Sequence, residues 1–406
     1  MMKKITALLL ALAMVFALCA CGNGDKDKDK DNDGDKAKIK VGFIFLHDEN
    51  STYDLNFMNA AEAACKNLGV EYVFKKNIPE DQKCYDAAAE LAEDGCNIIF
   101  ADSFGHESYI IEAAKEFPDV QFCHSTGTLA HTEKLSNYHN AFASIYEGRY
   151  LAGIAAGLKL NEMIANGEFT ADEAKMGYVG AFTYAEVISG YTSFFLGARS
   201  VCPSVTMDVT FTGSWYNETA EKEAANTLIK NGCKLISQHA DSMGAPTACE
   251  TAGVPNVSYN GSTVSACPNT FIVSSRIDWT PYYEYAIKAV MNGETIDTDW
   301  TGTLKTGSVV LTDVNEKAAA AGTAEAIADA KAKLEDGSLK VFDITTFTVG
   351  GKQLDSYMAD VDTDKDYTAD TEAVKDGAFL ESTYRSAPYF DVQIDGINLL
   401  DTNFGG

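Results

Sequence analysis

The chain has 406 residues, which is enough for a large core and most naturally for two domains. Its 59 acidic residues outnumber 32 basic ones and give a formal net charge of −27 at pH 7. A surface of this sign argues against a nucleic-acid partner, because phosphate backbones attract basic proteins.

The N-terminus has the pattern of a secretory signal. A short basic segment over 1–4 precedes an apolar stretch over 5–18, which is too short to span a membrane. The next letters, LCACG, place a small residue before Cys21 and resemble a bacterial lipobox. We therefore predict a lipoprotein signal peptide over 1–20 and a lipid-modified Cys21 that attaches the chain to the membrane. The alternative is an ordinary secreted protein cleaved nearby.

The segment 21–38 is a charged tether in this interpretation. It contains the letters DKDKDKDNDGDKAK, which alternate in charge and include almost no apolar residue. Such a composition cannot bury a core and stays extended in water. The folded part of the chain is therefore predicted to begin at residue 39.

Cysteine spacing gives no metal or redox motif. The cysteines after the tether are scattered singly, without a C-x-x-C pair. We expect most of them to be small buried hydrophobic residues. Cys249 and Cys267 are the pair that we would test first for a disulfide bond.

Strand and helix patterns alternate through the first part of the folded chain. The predicted strands cover 39–46, 70–76, 97–101 and 120–124, and the predicted helices cover 53–68, 81–94 and 106–117. This alternation with short connections is typical of a parallel sheet with helices on both faces.

A second series of the same kind follows a helix predicted over 145–166. Its predicted strands cover 176–181, 205–211, 234–239, 256–260 and 271–275, and its predicted helices cover 185–200, 218–231 and 244–252. Two successive series predict an α/β protein whose two doubly wound, parallel-sheet lobes face each other across a cleft.

The remainder of the chain is less regular. Helices are predicted over 281–291 and 318–334, a strand over 308–311, and a β-like stretch over 341–349. Because this material exceeds what two series need, we expect the chain to cross between the lobes more than once.

Aromatic and polar residues gather at the carboxyl ends of the predicted strands, where ligands bind in open α/β sheets. This mixture suits a flat ligand with polar edges, because rings stack on its faces while polar groups bond its edges. No phosphate-binding glycine motif occurs, which argues against a phosphorylated ligand. The candidate ligand-binding residues are Asp48, Tyr53, Asp54, Ser103, Phe104, Phe182, Trp215, Asp241, Asn260, Arg276 and Trp279.

These candidates also have ordinary structural explanations. Tyr53 and Trp215 could be partly buried packing residues, and Asp54 could cap a helix. Arg276 could pair with a nearby carboxylate. Spacing alone does not decide between these roles.

Ser103, His106 and Glu107 lie close together after the third predicted strand and raise the alternative of an extracellular hydrolase. The G-x-S-x-G elbow is absent, and a Ser near a helix start is more often a cap. We therefore predict that the protein is not an enzyme. Adjacent residues such as His47 and Asp48 rarely bind a metal together, so we also predict no metal site and no cofactor.

Four segments resemble the basic membrane protein family. This family comprises lipoprotein substrate-binding components of ABC transporters and includes purine nucleoside receptors. The segments are YEGRYLAGIAAG over 146–157, GYVGAF over 177–182, GSWYNETAEKEAANTLIKNG over 213–232, and SSRIDWTPYY over 274–283.

The resemblance implies a type I periplasmic-binding-protein fold with three crossings between the lobes. Lobe 1 would comprise 39–145 and 274–298, and lobe 2 would comprise 146–273 and 299–406. It also implies a lipid-anchored receptor on the outer side of the cell membrane, which closes around a purine nucleoside or nucleobase and delivers it to ABC permease subunits. The alternative is a receptor for another small solute, such as a sugar or a different heterocycle.

The resemblance assigns roles residue by residue. Tyr53 matches the Phe of the first loop that stacks on the base, and Asp54 matches the polar residue after it. Trp215 is the best opposing aromatic residue, with Phe182 as a competitor. Two positions differ from the family, which has an Asp for the sugar hydroxyls and a Lys nearby, and here they are Asn260 and Arg276.

Overall fold

The computed structural model describes residues 39–361, 365–366 and 368–401. The predicted signal peptide, the tether and the lipidated Cys21 lie outside the described residues. The described part of the chain forms two parallel sheets, each covered by helices, and two short two-stranded ladders.

The first sheet has six parallel strands. Its first strand along the chain, β1, has the sequence KVGFI and is buried from its second residue onward, because helices cover both faces of the sheet. The order across the sheet is β11-β5-β4-β3-β1-β2, and the strands are β1 (Lys40–Ile44), β2 (Glu71–Lys75), β3 (Ile98–Ala101), β4 (Gln121–Ser125), β5 (Tyr138–Ala143) and β11 (Asp299–Gly302).

The second sheet has seven strands, all parallel except β12, which runs antiparallel to β10. The order is β12-β10-β9-β8-β6-β7-β17, and the strands are β6 (Lys175–Gly180), β7 (Thr206–Phe211), β8 (Leu235–His239), β9 (Asn256–Tyr259), β10 (Phe271–Ile277), β12 (Val309–Leu311) and β17 (Ile397–Leu399). The ladders pair β13 (Met358–Ala359) with β14 (Thr371–Glu372), and β15 (Val374–Lys375) with β16 (Ala378–Phe379).

Most helices begin and end close to their predicted positions. Side chains of Ser51, Asp81 and Asn217 cap the N-termini of α1, α2 and α7. Among the helices described, none has both the length and the apolar character that a membrane crossing needs. The helices are α1 (Thr52–Leu68), α2 (Gln82–Glu93), α3 (Glu107–Glu116), α4 (Ala130–Glu133), α5 (Ile145–Ala165), α6 (Ala185–Val201), α7 (Glu218–Lys230), α8 (Gly244–Ala252), α9 (Thr280–Asn292) and α10 (Thr323–Glu335).

The chain crosses between the two lobes three times. After β5 of the first sheet it enters α5, which packs on α6 in the second lobe. After β10 of the second sheet it returns to α9, which packs on α1. The last crossing leads from β11 in the first sheet to β12 in the second.

The strand pairing moves two of the predicted lobe boundaries. Residues 274–277 were expected in lobe 1, but they complete β10 and pair with β9 and β12 of the second sheet. Residues 299–302 were expected in lobe 2, but they form β11 and pair with β5 of the first sheet. The local sequence does not show these pairings, because they join strands that are distant along the chain.

Two further predictions about elements were wrong or incomplete. The stretch 341–349 forms turns and isolated bridges instead of a strand. Strand β5 was not predicted, because His139 and Asn140 interrupt its apolar pattern. Both side chains are buried and hydrogen-bonded, His139 to the Asp297 carbonyl and Asn140 to the Ala130 amide.

Glycines explain how tightly α5 and α6 pack. A Cβ placed on Gly153 would lie 2.0 Å from the Phe194 carbonyl oxygen, and one on Gly197 would lie 2.0 Å from the Tyr150 carbonyl oxygen. Only glycine allows the two helix backbones to approach this closely. The segment YLAGIAAG therefore forms the close contact between α5 and α6.

The described cysteines are all buried free thiols, and Cys249 is not bonded to Cys267. Burial raises the pKa of the Cys123 thiol to about 12. These side chains pack as small hydrophobic residues, as the sequence predicts.

Candidate functional site

A cavity lies between the lobes, at the carboxyl ends of both sheets. The first lobe contributes the loop after β1, the start of α1, and the loops after β3 and β4. The second lobe contributes the start of α6 and the ends of β7, β8 and β9. The lining residues are Leu46, His47, Tyr53, Asp54, Ser103, Phe104 and Thr126 from the first lobe, and Glu186, Trp215, His239, Asp241 and Tyr259 from the second.

Asp54 is fixed by its own loop. It is fully buried, and its carboxylate accepts hydrogen bonds from the His47 amide at 2.8 Å and the Ser51 hydroxyl at 2.6 Å. The His47 ring nitrogen Nδ1 lies 3.2 Å from the same carboxylate. Burial acts to raise the pKa of Asp54, but the hydrogen bonds from His47 and Ser51 outweigh it and hold this pKa below its usual value. Asp54 therefore remains an anion in the cavity wall.

Tyr53 is oriented from two sides. Its hydroxyl donates a hydrogen bond of 2.7 Å to the Asp102 carbonyl, and its ring lies 4.8 Å from that of Phe57. Burial and the charge of Asp54 raise the pKa of the Asp102 carboxyl well above its usual value. The Tyr53 ring is thus held rigidly on the wall of the cavity.

Trp215 forms part of the opposite wall and is supported by other rings. The Phe182 ring meets it edge-on at a centroid distance of 5.0 Å, and the Tyr184 ring lies 6.0 Å from it. Phe182 also stacks on Tyr184 at 5.2 Å. This cluster fixes the plane of the Trp215 indole. Less side-chain entropy is therefore lost when a ligand stacks on it.

A hydrogen-bond chain leads from a buried arginine to Glu186 on the cavity wall. Arg149 is fully buried, and it donates to the Tyr178 hydroxyl at 2.9 Å. That hydroxyl lies 3.3 Å from His239 Nδ1, and His239 Nε2 lies 3.4 Å from Glu186. Because the Tyr178 oxygen accepts from Arg149, its proton points to Nδ1, and the Nε2 proton points to Glu186. The chain orients the Glu186 carboxylate.

The cavity is acidic. Its described lining includes the carboxyl groups of Asp54, Glu186 and Asp241 and no lysine or arginine. Burial, followed by the charges of Asp54 and other carboxylates, raises the pKa of Asp241 well above its usual value. Such a site favours ligands that donate hydrogen bonds and disfavours anions.

Two buried hydroxyls on the cavity wall have no hydrogen-bond partner among the residues that the structure describes. They are Thr126 Oγ1 and Tyr259 Oη. Thr126 also has a φ of 74°, which is rare for a β-branched residue and is typical of functional sites. Because an unpaired buried hydroxyl costs free energy, these two groups are suited to a ligand that hydrogen-bonds to them.

Contacts between the lobes close the cavity. The Thr52 amide donates to the Asp241 carbonyl at 3.0 Å, and the Thr52 hydroxyl donates to the same oxygen at 3.1 Å. The Phe104 ring lies 5.0 Å from that of Tyr184 in the other lobe. The structure therefore shows the two lobes in contact around the site.

A family model for PnrA-like ABC transporter substrate-binding proteins, named Bmp, matches residues 45–341. The chain belongs to the Bmp family. This confirms the resemblance that the four sequence segments indicate.

Three similar proteins illustrate this relationship. A purine-binding protein of Brucella abortus is 33% identical over 258 residues, which are 62% of this chain and 69% of that protein. A Haloferax volcanii protein named for glucose binding in an ABC transporter is 32% identical over 223 residues, which are 55% of this chain and 53% of that protein. A solved ABC transporter solute-binding protein of Conexibacter woesei has a TM-score of 0.61 at 20% identity and covers 74% of this chain and 98% of its own.

Membership of the Bmp family establishes the general role of the chain. It is the substrate-binding protein of an ABC transporter, with the periplasmic-binding-protein fold that the sequence predicts, and it is not an enzyme. Proteins of this kind work outside the cytoplasm, bind a small molecule and present it to permease subunits.

The predicted site residues of this Bmp protein divide into two groups. The structure places one group on the cavity wall, namely Tyr53, Asp54, Ser103, Phe104, Trp215 and Asp241. It places the other group elsewhere, namely Asp48, Phe182, Asn260, Arg276 and Trp279.

Physical reasons account for the second group. The Asp48 carboxylate is bound within its own turn by the Asn50 amide at 3.1 Å. Trp279 is fully buried in the core and stacks on Phe57 at 4.4 Å. Asn260 and Arg276 line a separate open groove on the outside of the Thr52–Asp241 contact, and Phe182 supports Trp215 from behind.

Sequence reasoning missed several residues that line the cavity. These residues lie at or beyond the carboxyl ends of strands, where the sequence predicts ligand contacts, and they are His47, Thr126, Glu186, His239 and Tyr259. The available signal was this position, since a polar residue directly after a parallel strand is a candidate in any open α/β sheet. Side-chain direction was not available from the sequence.

The apparent Ser103–His106 pair does not form a catalytic unit. The Ser103 hydroxyl donates to Glu80 at 2.6 Å, and His106 Nε2 bonds to the Ile78 carbonyl at 2.9 Å. Burial lowers the pKa of His106 to about 4. The His106 imidazole is therefore not positioned to activate the Ser103 hydroxyl, which donates to Glu80 instead.

Proposed function

We propose that this Bmp protein is a lipid-anchored receptor that binds a purine nucleobase or nucleoside by closure of its two lobes. The observation that carries the proposal is the composition of the cavity wall. Aromatic rings from both lobes, Tyr53 and Phe104 on one side and Trp215 and Tyr259 on the other, surround carboxyl groups without a lysine or arginine.

Purines fit this environment for chemical reasons. A purine is a flat aromatic ring system, so it can stack between rings that are held on opposite walls. Its N–H groups can donate to carboxylates such as Glu186, and its ring nitrogens and carbonyl oxygens can accept from hydroxyls such as those of Thr126 and Tyr259. The Brucella abortus relative is named a purine-binding protein, which supports the same ligand class.

The lipid anchor rests on the sequence pattern around Cys21. The segment after it is a charged tether, which would let the folded part reach a permease. A Cys21→Ser variant should move from the membrane fraction to the soluble extracytoplasmic fraction. If it stays with membranes in the same proportion as the wild type, Cys21 is not the anchor.

A sugar is the second candidate ligand. Aromatic rings beside carboxylates also bind the apolar faces and hydroxyls of monosaccharides, and the Haloferax volcanii relative is named for glucose. The two candidates make different predictions, because a sugar has no aromatic ring to stack between Tyr53 and Trp215.

Thermal-shift screening separates the two candidates. Purified protein would be heated with adenine, guanine, hypoxanthine, their nucleosides and glucose. A ligand at 100 times its Kd stabilises the folded state by about 2.7 kcal/mol, which raises Tm by several degrees. We expect the purines to raise Tm and glucose to have no effect. A shift with glucose and none with purines would refute the proposal.

Two tryptophan variants show whether the ligand uses this cavity. Trp215→Ala removes a stacking face and should abolish most of the purine-induced shift. Trp279→Ala removes a core side chain, so it should lower Tm of the free protein but keep the purine-induced shift. Equal loss of the shift in both variants would place the ligand elsewhere.

A further inference from the structure

A second cavity adjoins the ligand cavity. It shares Phe104, Thr126 and Glu186 with the first cavity, so the two spaces are continuous along these residues. Its other walls include Thr128, Tyr184 and Arg385. We call this space the side compartment.

The groove lined by Asn260 and Arg276 differs from the side compartment in its relation to the ligand cavity. It shares no lining residue with the ligand cavity among the described residues. Thr52 lines the groove and Asp241 lines the cavity, and the two hydrogen bonds between them join the walls of the two spaces. The side compartment, and not the groove, therefore shares wall residues with the ligand cavity.

The side compartment depends on a late part of the chain, the segment 381–390. This segment follows residue 341, where the match to the Bmp family model ends. It is bound to the second lobe by a hydrogen bond from Ser189 to Glu381. It is bound to the first sheet by the Ser386 amide, which donates to Asp299 at 2.8 Å. The segment thus spans both lobes beside the ligand.

Arg385 is oriented within this segment. Its Nε donates to the Ala387 carbonyl and its Nη2 donates to the Pro388 carbonyl, both at 3.1 Å. The compartment is lined by the polar residues Arg385, Glu186 and Thr128, beside the rings of Phe104 and Tyr184. Hydroxyl groups both donate and accept hydrogen bonds, so a sugar ring matches this combination.

We propose that the side compartment holds the ribose of a purine nucleoside, and that Arg385 determines the preference for nucleosides over free bases. This rests on the proposed function, because the base must occupy the ligand cavity. It differs from the expectation that Asn260 and Arg276 face the sugar, and it assigns this role to a segment outside the region matched by the family model.

A matched pair of arginine variants tests the proposal. Arg385→Ala and Arg276→Ala would be titrated calorimetrically with adenine and adenosine, guanine and guanosine, and hypoxanthine and inosine. We expect Arg385→Ala to weaken nucleoside binding about tenfold or more and to leave base binding within about twofold. Arg276→Ala should leave both within about twofold.

A second variant, which fills part of the side compartment, separates an effect on the compartment from a loss of structure in Arg385→Ala. Ala387→Leu narrows the side compartment from another position. It should weaken the binding of nucleosides but not the binding of free bases. The proposal is overturned if wild-type protein binds bases and rejects nucleosides, or if Arg276→Ala weakens nucleosides and Arg385→Ala does not. Failure of the wild type to bind any purine would instead refute the proposed function.

Discussion

Tyr259 carries a buried hydroxyl that we propose a ligand would bond. Its oxygen is buried on the cavity wall without a hydrogen-bond partner, while its ring lies 4.4 Å from that of His239. Tyr259→Phe removes the unpaired group and keeps the ring. We expect the free protein to be equally or slightly more stable, because no hydrogen bond is lost. We expect the affinity for the purine to fall about fivefold or more, measured by calorimetry.

The opposite signs of these two effects make the test specific. A purely structural role of the hydroxyl would lower the stability of the free protein and leave the affinity unchanged. Tyr53→Phe is the matched comparison, since its hydroxyl donates to the Asp102 carbonyl at 2.7 Å and its removal should lower stability. If Tyr259→Phe and Tyr53→Phe lower stability equally, Tyr259 is not reserved for a ligand.

At the scale of residues, the sequence predicts where along the chain the site residues lie. It does not predict the direction in which their side chains point. Tyr53 and Trp215 follow strand ends, and both lie on the cavity wall. Trp279 follows a strand end as well, yet its side chain turns into the core against Phe57. The difference depends on packing between distant elements, which a single sequence does not show.

The contact between α5 and α6 is the element-scale feature most sensitive to substitution. A methyl group on Gly197 would lie 2.0 Å from a backbone oxygen of α5, so the helices would have to separate. We expect Gly197→Ala to lower the free energy of unfolding by about 2 kcal/mol or more, measured by urea unfolding. Gly261→Ala is the control, because its methyl would meet Thr52 at 3.7 Å, an ordinary contact distance. Similar stability of both variants would contradict the close-packing explanation.

Helices and strands could be predicted well where a single sequence pattern runs through the whole element. The helix predicted over 244–252 has the same bounds as α8, because its small residues end at a glycine in a left-handed conformation. Strand β11 was missed because Asp299–Gly302 carries no strand signal of its own and is formed by pairing with β5. Tertiary pairing overrides local preference at such edges.

The fold of the whole molecule was predictable, because two successive βα series are compatible with few architectures. The contact between the two lobes, which closes the cavity, was not predictable. Closure depends on contacts such as Thr52 with Asp241 and Phe104 with Tyr184, which join residues far apart in sequence. These contacts hold the two lobes together around the cavity, and a ligand that touches both lobes would add to them. The segment 381–390 adds a further connection that the family resemblance did not imply.

Glu381 makes the stability of the whole molecule depend on pH. It is buried where this segment meets α6, and burial raises the pKa of its carboxyl to about 8 from 4.5. The folded state therefore keeps a proton that the unfolded chain loses, so Glu381 destabilises the fold progressively as pH rises from about 4.5 to about 8. Glu381→Gln has no proton to lose. We expect it to be more stable than the wild type at pH 8, by roughly 4 kcal/mol, and the difference to vanish near pH 4.5.

Urea unfolding of both proteins at pH 4.5, 6 and 8 measures this difference directly. Glu372→Gln is the control, because hydrogen bonds from Ser356 and from backbone amides lower the pKa of that exposed carboxyl. A group with a lowered folded-state pKa stabilises the fold above its unfolded pKa, so the control should gain no stability at pH 8. A stability difference between Glu381→Gln and the wild type that stays constant across this range would show that Glu381 does not titrate as its burial implies. The pH dependence of folding would then have to arise from other buried groups, such as Glu147, whose pKa is raised by burial to about 7.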